Sequence, residues 1–181
     1  RTALSQRLGV SGRISALSSG IEVILSIVSG LMISTPAVLM QRNRLELGIT
    51  ILIAVEVLGL ALLHPRSLRW LLARFGHQIV PRTLDYSKVL SWLGAYAVMW
   101  ITGGGMTCMV IASIYPLEIA QVPSIISMWT LSGVISFATF LLPSKLGLSV
   151  IALSGLLSSI VPLSIAVTSA LLIRVLTTIF D

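Results

Sequence analysis

Charge is scarce in this 181-residue chain. Charged residues make up 10% of it, against the roughly 25% of a soluble domain, while hydrophobic residues make up 56% and the mean hydropathy is +1.02. That balance excludes a water-soluble globular fold and predicts a polytopic membrane protein. The six acids are scattered singly, at Glu22, Glu46, Glu56, Asp85, Glu118 and Asp181, so paired carboxylates for acid–base chemistry are missing. A single cysteine, Cys108, excludes an intramolecular disulfide or a cysteine metal cluster and reads as a small buried hydrophobe. The two histidines, His64 and His77, stand thirteen residues apart without carboxylate partners close by, a poor spacing for a metal pair. Zinc-protease HExxH and Gly-x-Ser-x-Gly motifs are both lacking, and no GK[ST] follows Gly103-Gly104-Gly105 to make a phosphate loop. The expectation is a non-enzymatic protein with no cofactor and no metal. The net charge of +6 belongs mostly to polar flanks, where it predicts affinity for anionic lipid. Nucleic acid would need a soluble basic face that the chain does not offer.

What is present is long apolar runs, and these predict an all-α membrane bundle of four full spans, an interfacial helix and a broken C-terminal helix pair. Residues 1–20 are basic and Ser/Gly-rich, with Arg1, Arg7 and Arg13 and no acid. The first span covers about Ile21 to Met40. Within it Glu22, Ser26, Gly30 and Ser34 recur every four residues, a row of small side chains that permits close helix approach and carries Glu22 into the packed seam. The alternative for Glu22 is plain hydration near the basic flank. A short polar link, Gln41 to Glu46, sends the second span back over Leu47 to Leu63. Glu56 stands near its middle, where an ionised side chain costs on the order of 2.5 to 3.5 kcal/mol. Glu56 is therefore either a site residue facing the bundle interior or a protonated acid hydrogen-bonded to a neighbouring hydroxyl.

Residues 64–77 change character. Leu68, Leu71, Leu72 and Phe75 recur at helical spacing with Arg66, Arg69, Trp70 and Arg74 between them, which suits an amphipathic helix in the headgroup plane. The 64–88 connector carries five bases and one acid, so the positive-inside rule puts it, like the N-terminal segment, in the cytoplasm. The third run, Val89 to Tyr115, is uncharged over twenty-seven residues, and its three consecutive glycines predict both a loosened middle and close backbone approach. The fourth span, about Ser124 to Leu142, is rich in hydroxyls, which are expected to bond within their own helix or to a neighbour.

The stretch 143–181 is the candidate functional region. Sixteen uncharged residues from Leu146 to Val161 and eleven from Leu163 to Ile173 are each shorter than the roughly 20 needed to span. They read either as half-helices framing a cavity or as a kinked continuous span. Pro143-Ser144-Lys145-Leu146-Gly147-Leu148-Ser149, then Val161-Pro162, then Leu172-Ile173-Arg174-Val175-Leu176, resembles the end of the lysylphosphatidylglycerol synthase transmembrane region, also called the flippase-like domain. That family pattern reads roughly Pro-Gly-Gly-x-Gly-x-Arg-Glu, a re-entrant helix, and a last helix with an arginine. Pro143, Gly147, Pro162 and Arg174 fall on it, whereas Ser149 and Val150 stand where Arg-Glu would be.

The resemblance implies a lipid-handling module of a prokaryotic cytoplasmic membrane, and a chain that is the C-terminal part of a longer one, since family members extend further at the N-terminus. Its anionic-headgroup site would draw on Arg174, Glu56, Lys145, Gly147, Pro143 and Glu22. The alternative is an accessory subunit packed among other transmembrane subunits, its polar motif lost. For Arg174 itself, the competing role is an interfacial anchor whose long side chain snorkels to the headgroups.

Overall fold

A computed structural model of the chain describes residues 12–40, 46–64, 66–68, 70, 86–138 and 145–180. Among them every regular element is helical: α1 (Gly12–Met40), α2 (Glu46–Leu63), α3 (Tyr86–Ala112), α4 (Val122–Ala138), α5 (Lys145–Leu157) and α6 (Leu163–Phe180), with a 3-10 turn at Ile119–Gln121 leading into α4. Three stretches are long and apolar enough to cross a membrane: Ser18–Thr35, Tyr86–Ala112 and Ile119–Phe137. The remaining described apolar helices, Ile53–Leu63, Gly147–Leu157 and Leu163–Ile179, are shorter. Among the described residues, then, three candidate spans stand where the sequence predicts four.

The many hydroxyls do not disturb these helices because they bond along them. Ser29 donates to Ser26 O, Ser34 and Thr35 to Leu31 O, Ser127 to Pro123 O and Thr130 to Ile126 O, all between 2.8 and 3.0 Å. Each such bond returns a buried O–H to its own helix, so a serine-rich span presents little polarity to its neighbours.

α4 is the centre of the bundle, packed against α1, α3 and α5, while α2 rests on α1 and α6 lies on α5 and α3. Two sites of close approach hold α1, α3 and α4 together. Gly30 of α1 and Gly133 of α4 leave a gap that the Trp100 indole of α3 fills; a Cβ at Gly133 would stand 2.5 Å from Trp100 Cζ3, and one at Gly30 would stand 3.2 Å from Trp100 Nε1. Trp100 Nε1 also donates to Ser26 O at 3.0 Å, a buried bond between α3 and α1. The small-residue row is thus tight where expected, since Ser26, Gly30 and Ser34 are all buried. Glu22, however, is exposed one turn before the seam begins.

The glycine run of α3 does not loosen it, for the helix is unbroken from Tyr86 to Ala112. Trp129 covers Gly103, and the Ile126 backbone lies against Gly104, where a Cβ would stand 2.8 Å from Ile126 Cα. Packing against α4 here outweighs the low helix propensity of glycine.

The C-terminal break is a reversal. After α5, Ile160 N and Val161 N donate to Leu157 O at 2.9 and 3.0 Å, and α6 begins as Ala166 N donates to Pro162 O at 2.9 Å. Pro162 has no N–H to continue α5 and holds Val161 away from helical torsions. The two helices fold back on each other, and Leu153 and Leu157 of α5 join Ala166, Ala170 and Ile173 of α6 in one buried cluster with Cys108, Ile111, Ile125 and Met128. α5 and α6 are thus two separate helices packed against each other.

Candidate functional site

Between α4, α5 and α6 lies a half-open cavity of about 460 Å³. That is within the ordinary range for small-ligand pockets. It exists because the three helices face it with short side chains: Ser132, Gly133 and Ser136 from α4, Ser149 from α5, Ala170 and Thr177 from α6. Trp129, Phe137, Val150, Leu153 and Ile173 supply the apolar part of the wall. Ser149, Val150 and Leu153 of α5 and Ala170, Ile173, Arg174 and Thr177 of α6 line it together.

Among the described residues, Arg174 is the one charged residue lining this cavity. Its Nε is fully covered and has no hydrogen-bond partner. A guanidinium carries five N–H donors and cannot shed its proton, so leaving one of them dry and unpaired is costly. Arg174 as a whole is half-buried, so the enclosed nitrogen is Nε alone. Arg174 lines the cavity, and no carboxylate lines it among the described residues.

The sequence-derived site residues divide among several places. Arg174 lines the cavity, and so do Ser149 and Val150. Gly147 lies half a turn before Ser149 on α5, exposed, with open space where a Cβ would be. Lys145 opens α5 one turn before Ser149, which gives it the same helix face; its side chain, like Pro143, lies outside the described residues. Glu56 does not line the cavity. It is half-buried between α2 and α1, where Thr35 Oγ1 donates to Glu56 Oε1 at 3.4 Å while donating more closely, at 3.0 Å, to Leu31 O. A carboxyl beside a neighbouring helix's hydroxyl is the packing alternative for Glu56, and the structure does not bring it together with Arg174. Glu22 stands at the exposed start of the α1 seam.

In the proposed interfacial helix, Arg66 and Trp70 are exposed while Leu68 is buried beside Leu63 and Val89, an amphipathic arrangement. Arg69 and Arg74 lie outside the described residues. His64 Nδ1 accepts from Arg66 N at 3.2 Å, so this histidine shapes the turn after α2. His77 also lies outside the described residues.

Sequence reasoning missed the α4 wall. Ser132 and Ser136 share a helix face, and this i, i+4 pair was the available signal, but a hydroxylated face in an apolar helix carries no mark of which neighbour it meets. Comparison with protein-family models, with curated proteins and with solved structures gave no match.

Proposed function

We propose that this chain is a non-enzymatic integral membrane protein that binds, and in the course of its work passes or parks, the anionic headgroup of a lipid in the cavity between α4, α5 and α6. The observation that carries this reading is the covered, partnerless Nε of Arg174 beside a half-open cavity. A phosphate oxygen is the partner a planar guanidinium fork fits best. The resemblance of Pro143, Gly147, Pro162 and Arg174 to the flippase-like frame points the same way.

In this reading α1 to α4 span, with α2 completing its crossing over residues 46–63, and α5 with α6 forms a re-entrant hairpin. α5 has thirteen residues, about 20 Å of helix, against a hydrocarbon thickness of about 30 Å. Residues 1–20 and the 64–88 connector lie in the cytoplasm, which brings the open ends of the hairpin, and with them Ser149 and Arg174, toward the cytoplasmic leaflet. Cysteines introduced at Ser67 and Gln121 should then label from opposite sides; labelling from one side would overturn this topology.

The function itself is tested by purification in mild detergent followed by native mass spectrometry. A monomer or small homo-oligomer retaining anionic lipid is expected, with Arg174→Lys losing most of that lipid while keeping its melting temperature. Unchanged retention in Arg174→Lys would make the residue an interfacial anchor. Stoichiometric co-purification with a large assembly would favour the accessory-subunit reading.

A further inference from the structure

The protons on the cavity's hydroxyls have destinations, and those destinations restrict what can bind. Ser132 Oγ donates to Trp129 O at 2.8 Å, Ser136 Oγ to Ser132 O at 2.8 Å, and Thr177 Oγ1 to Arg174 O at 3.0 Å. A hydroxyl has one proton and two lone pairs. With their protons engaged along their own helices, Ser132 and Thr177 present lone pairs to the cavity. The α4 wall and the end of α6 are therefore acceptor surfaces, although their composition looks amphoteric.

Donors come from elsewhere. Arg174 offers its guanidinium, and Ser149 Oγ, which has no partner among the described residues, keeps a proton to give. These two line the same cavity from α5 and α6. Among the described residues the lining thus holds both donors and acceptors, with one positive charge and no carboxylate.

We infer that the cavity is built for a phosphodiester whose substituent carries O–H or N–H donors: the phosphate takes Arg174 and Ser149, and the substituent's hydrogens go to the lone pairs of Ser132 and Thr177. This rests on the headgroup reading above and adds its selectivity. A phosphate alone would set its own acceptor oxygens against those lone pairs, and could be accommodated only by breaking the intrahelical bonds that hold the hydroxyl protons. A phosphomonoester dianion would bring two charges to a single guanidinium in a site of low dielectric. A quaternary ammonium substituent has the charge of an amine but no N–H to donate.

Two lipid pairs matched in net charge isolate the donor. Phosphatidylethanolamine against phosphatidylcholine differs in N–H groups, and phosphatidylglycerol against phosphatidylmethanol differs in O–H groups. The protein, stripped of its own lipid, is offered each in defined micelles and scored by native mass spectrometry. At least one donor-bearing lipid should be retained about fivefold or more over its matched partner, as one added hydrogen bond would give. The pair that discriminates names the source, amine or polyol. Thr177→Val should reduce that ratio. Equal retention within both pairs, or phosphatidic acid outbinding every diester, overturns the inference and leaves the headgroup reading intact provided binding still falls in Arg174→Gln. If Arg174→Gln alters retention of none of these lipids, the headgroup reading itself fails.

Discussion

Two seams in this bundle are made from the same kind of residue and end in opposite states. Where α1 and α4 face α3, Gly30 and Gly133 make room, and the Trp100 indole occupies it. Where α4 faces α5 and α6, Ser132, Ser136, Ser149, Ala170 and Thr177 make room, and about 460 Å³ is left unfilled by side chains beside Arg174. Gly133 borders both, touching Trp100 on one side and lining the cavity on the other. Small residues in a membrane helix thus do not specify contact. They specify space, and the residue type across the gap decides whether that space becomes a joint or a pocket. Without a hydrophobic drive between helices in lipid, the joint depends on van der Waals contact, and the indole supplies it.

The largest effect that follows is loss of the joint. Trp100→Ala removes the filler and its bond to Ser26 O, and by the usual cost of a large aromatic deleted from a core the protein should lose about 3 to 5 kcal/mol of stability. Thermal melting in detergent reads this directly. A small loss would mean that the α1–α3–α4 seam closes on itself and that the two seams are less different than they look.

The next comparison sets a polar group with a hydroxyl in reach against one with none. Glu56 has Thr35 within reach, whereas the Nε of Arg174 has nothing. Glu56→Gln keeps shape and hydrogen bonding and should cost under about 1 kcal/mol, while Glu56→Lys forces a cation between α1 and α2 at about 2.5 to 3.5 kcal/mol. Equal expression and melting of the two variants would place the Glu56 side chain in water.

Much of the fold is legible in the sequence, for one reason: apolar runs bounded by proline, glycine and charge report where a helix begins and ends. The reversal at Pro162 and the tight row at Ser26, Gly30 and Ser34 both follow from local pattern. The partners across the gaps do not. Trp100 and Gly133 lie thirty-three residues apart and Thr35 and Glu56 twenty-one, and periodicity identifies the face of a helix without naming its neighbour. For that reason Glu56 and Glu22 were grouped with Arg174 as intramembrane or near-membrane ions, although their helices put them elsewhere. The glycine run misled in the opposite direction, since its effect on α3 depends on Trp129 and Ile126 of α4. Arg174 is legible as the one charge in the run from Leu146 to Phe180.

Overfilling the joint should cost less than emptying it. Gly133→Leu drives a side chain against the Trp100 ring, which its bond to Ser26 O holds in place, so about 1 to 3 kcal/mol should be lost through forced shifts. The control is Gly147→Leu, where nothing lies within 4 Å of the added Cβ and melting should move by less than about 0.5 kcal/mol. Similar losses in the two variants would show that the cost comes from glycine's backbone and not from the joint.

The smallest change in stability should come from filling the pocket, and it is the one that separates the two seams most sharply. Ser149→Leu adds carbon atoms to a wall that already includes Val150 and Leu153, in a cavity with room for them and without displacing an indole. Ser149 Oγ has no described partner, so no hydrogen bond is broken in the protein by removing it. The melting temperature should therefore stay within about 0.5 kcal/mol of the parent or rise slightly as apolar surface gains contacts. Bound anionic lipid should fall by about tenfold, because the added side chain occupies the place where a phosphate would meet Arg174 and because one donor to that phosphate is lost. The same leucine at Gly133 would damage the fold without needing any ligand to explain it. If Ser149→Leu melts much lower than the parent, the space between α4, α5 and α6 is a packed joint after all. If it melts normally and keeps its lipid, the cavity is a by-product of short side chains and the headgroup sits elsewhere.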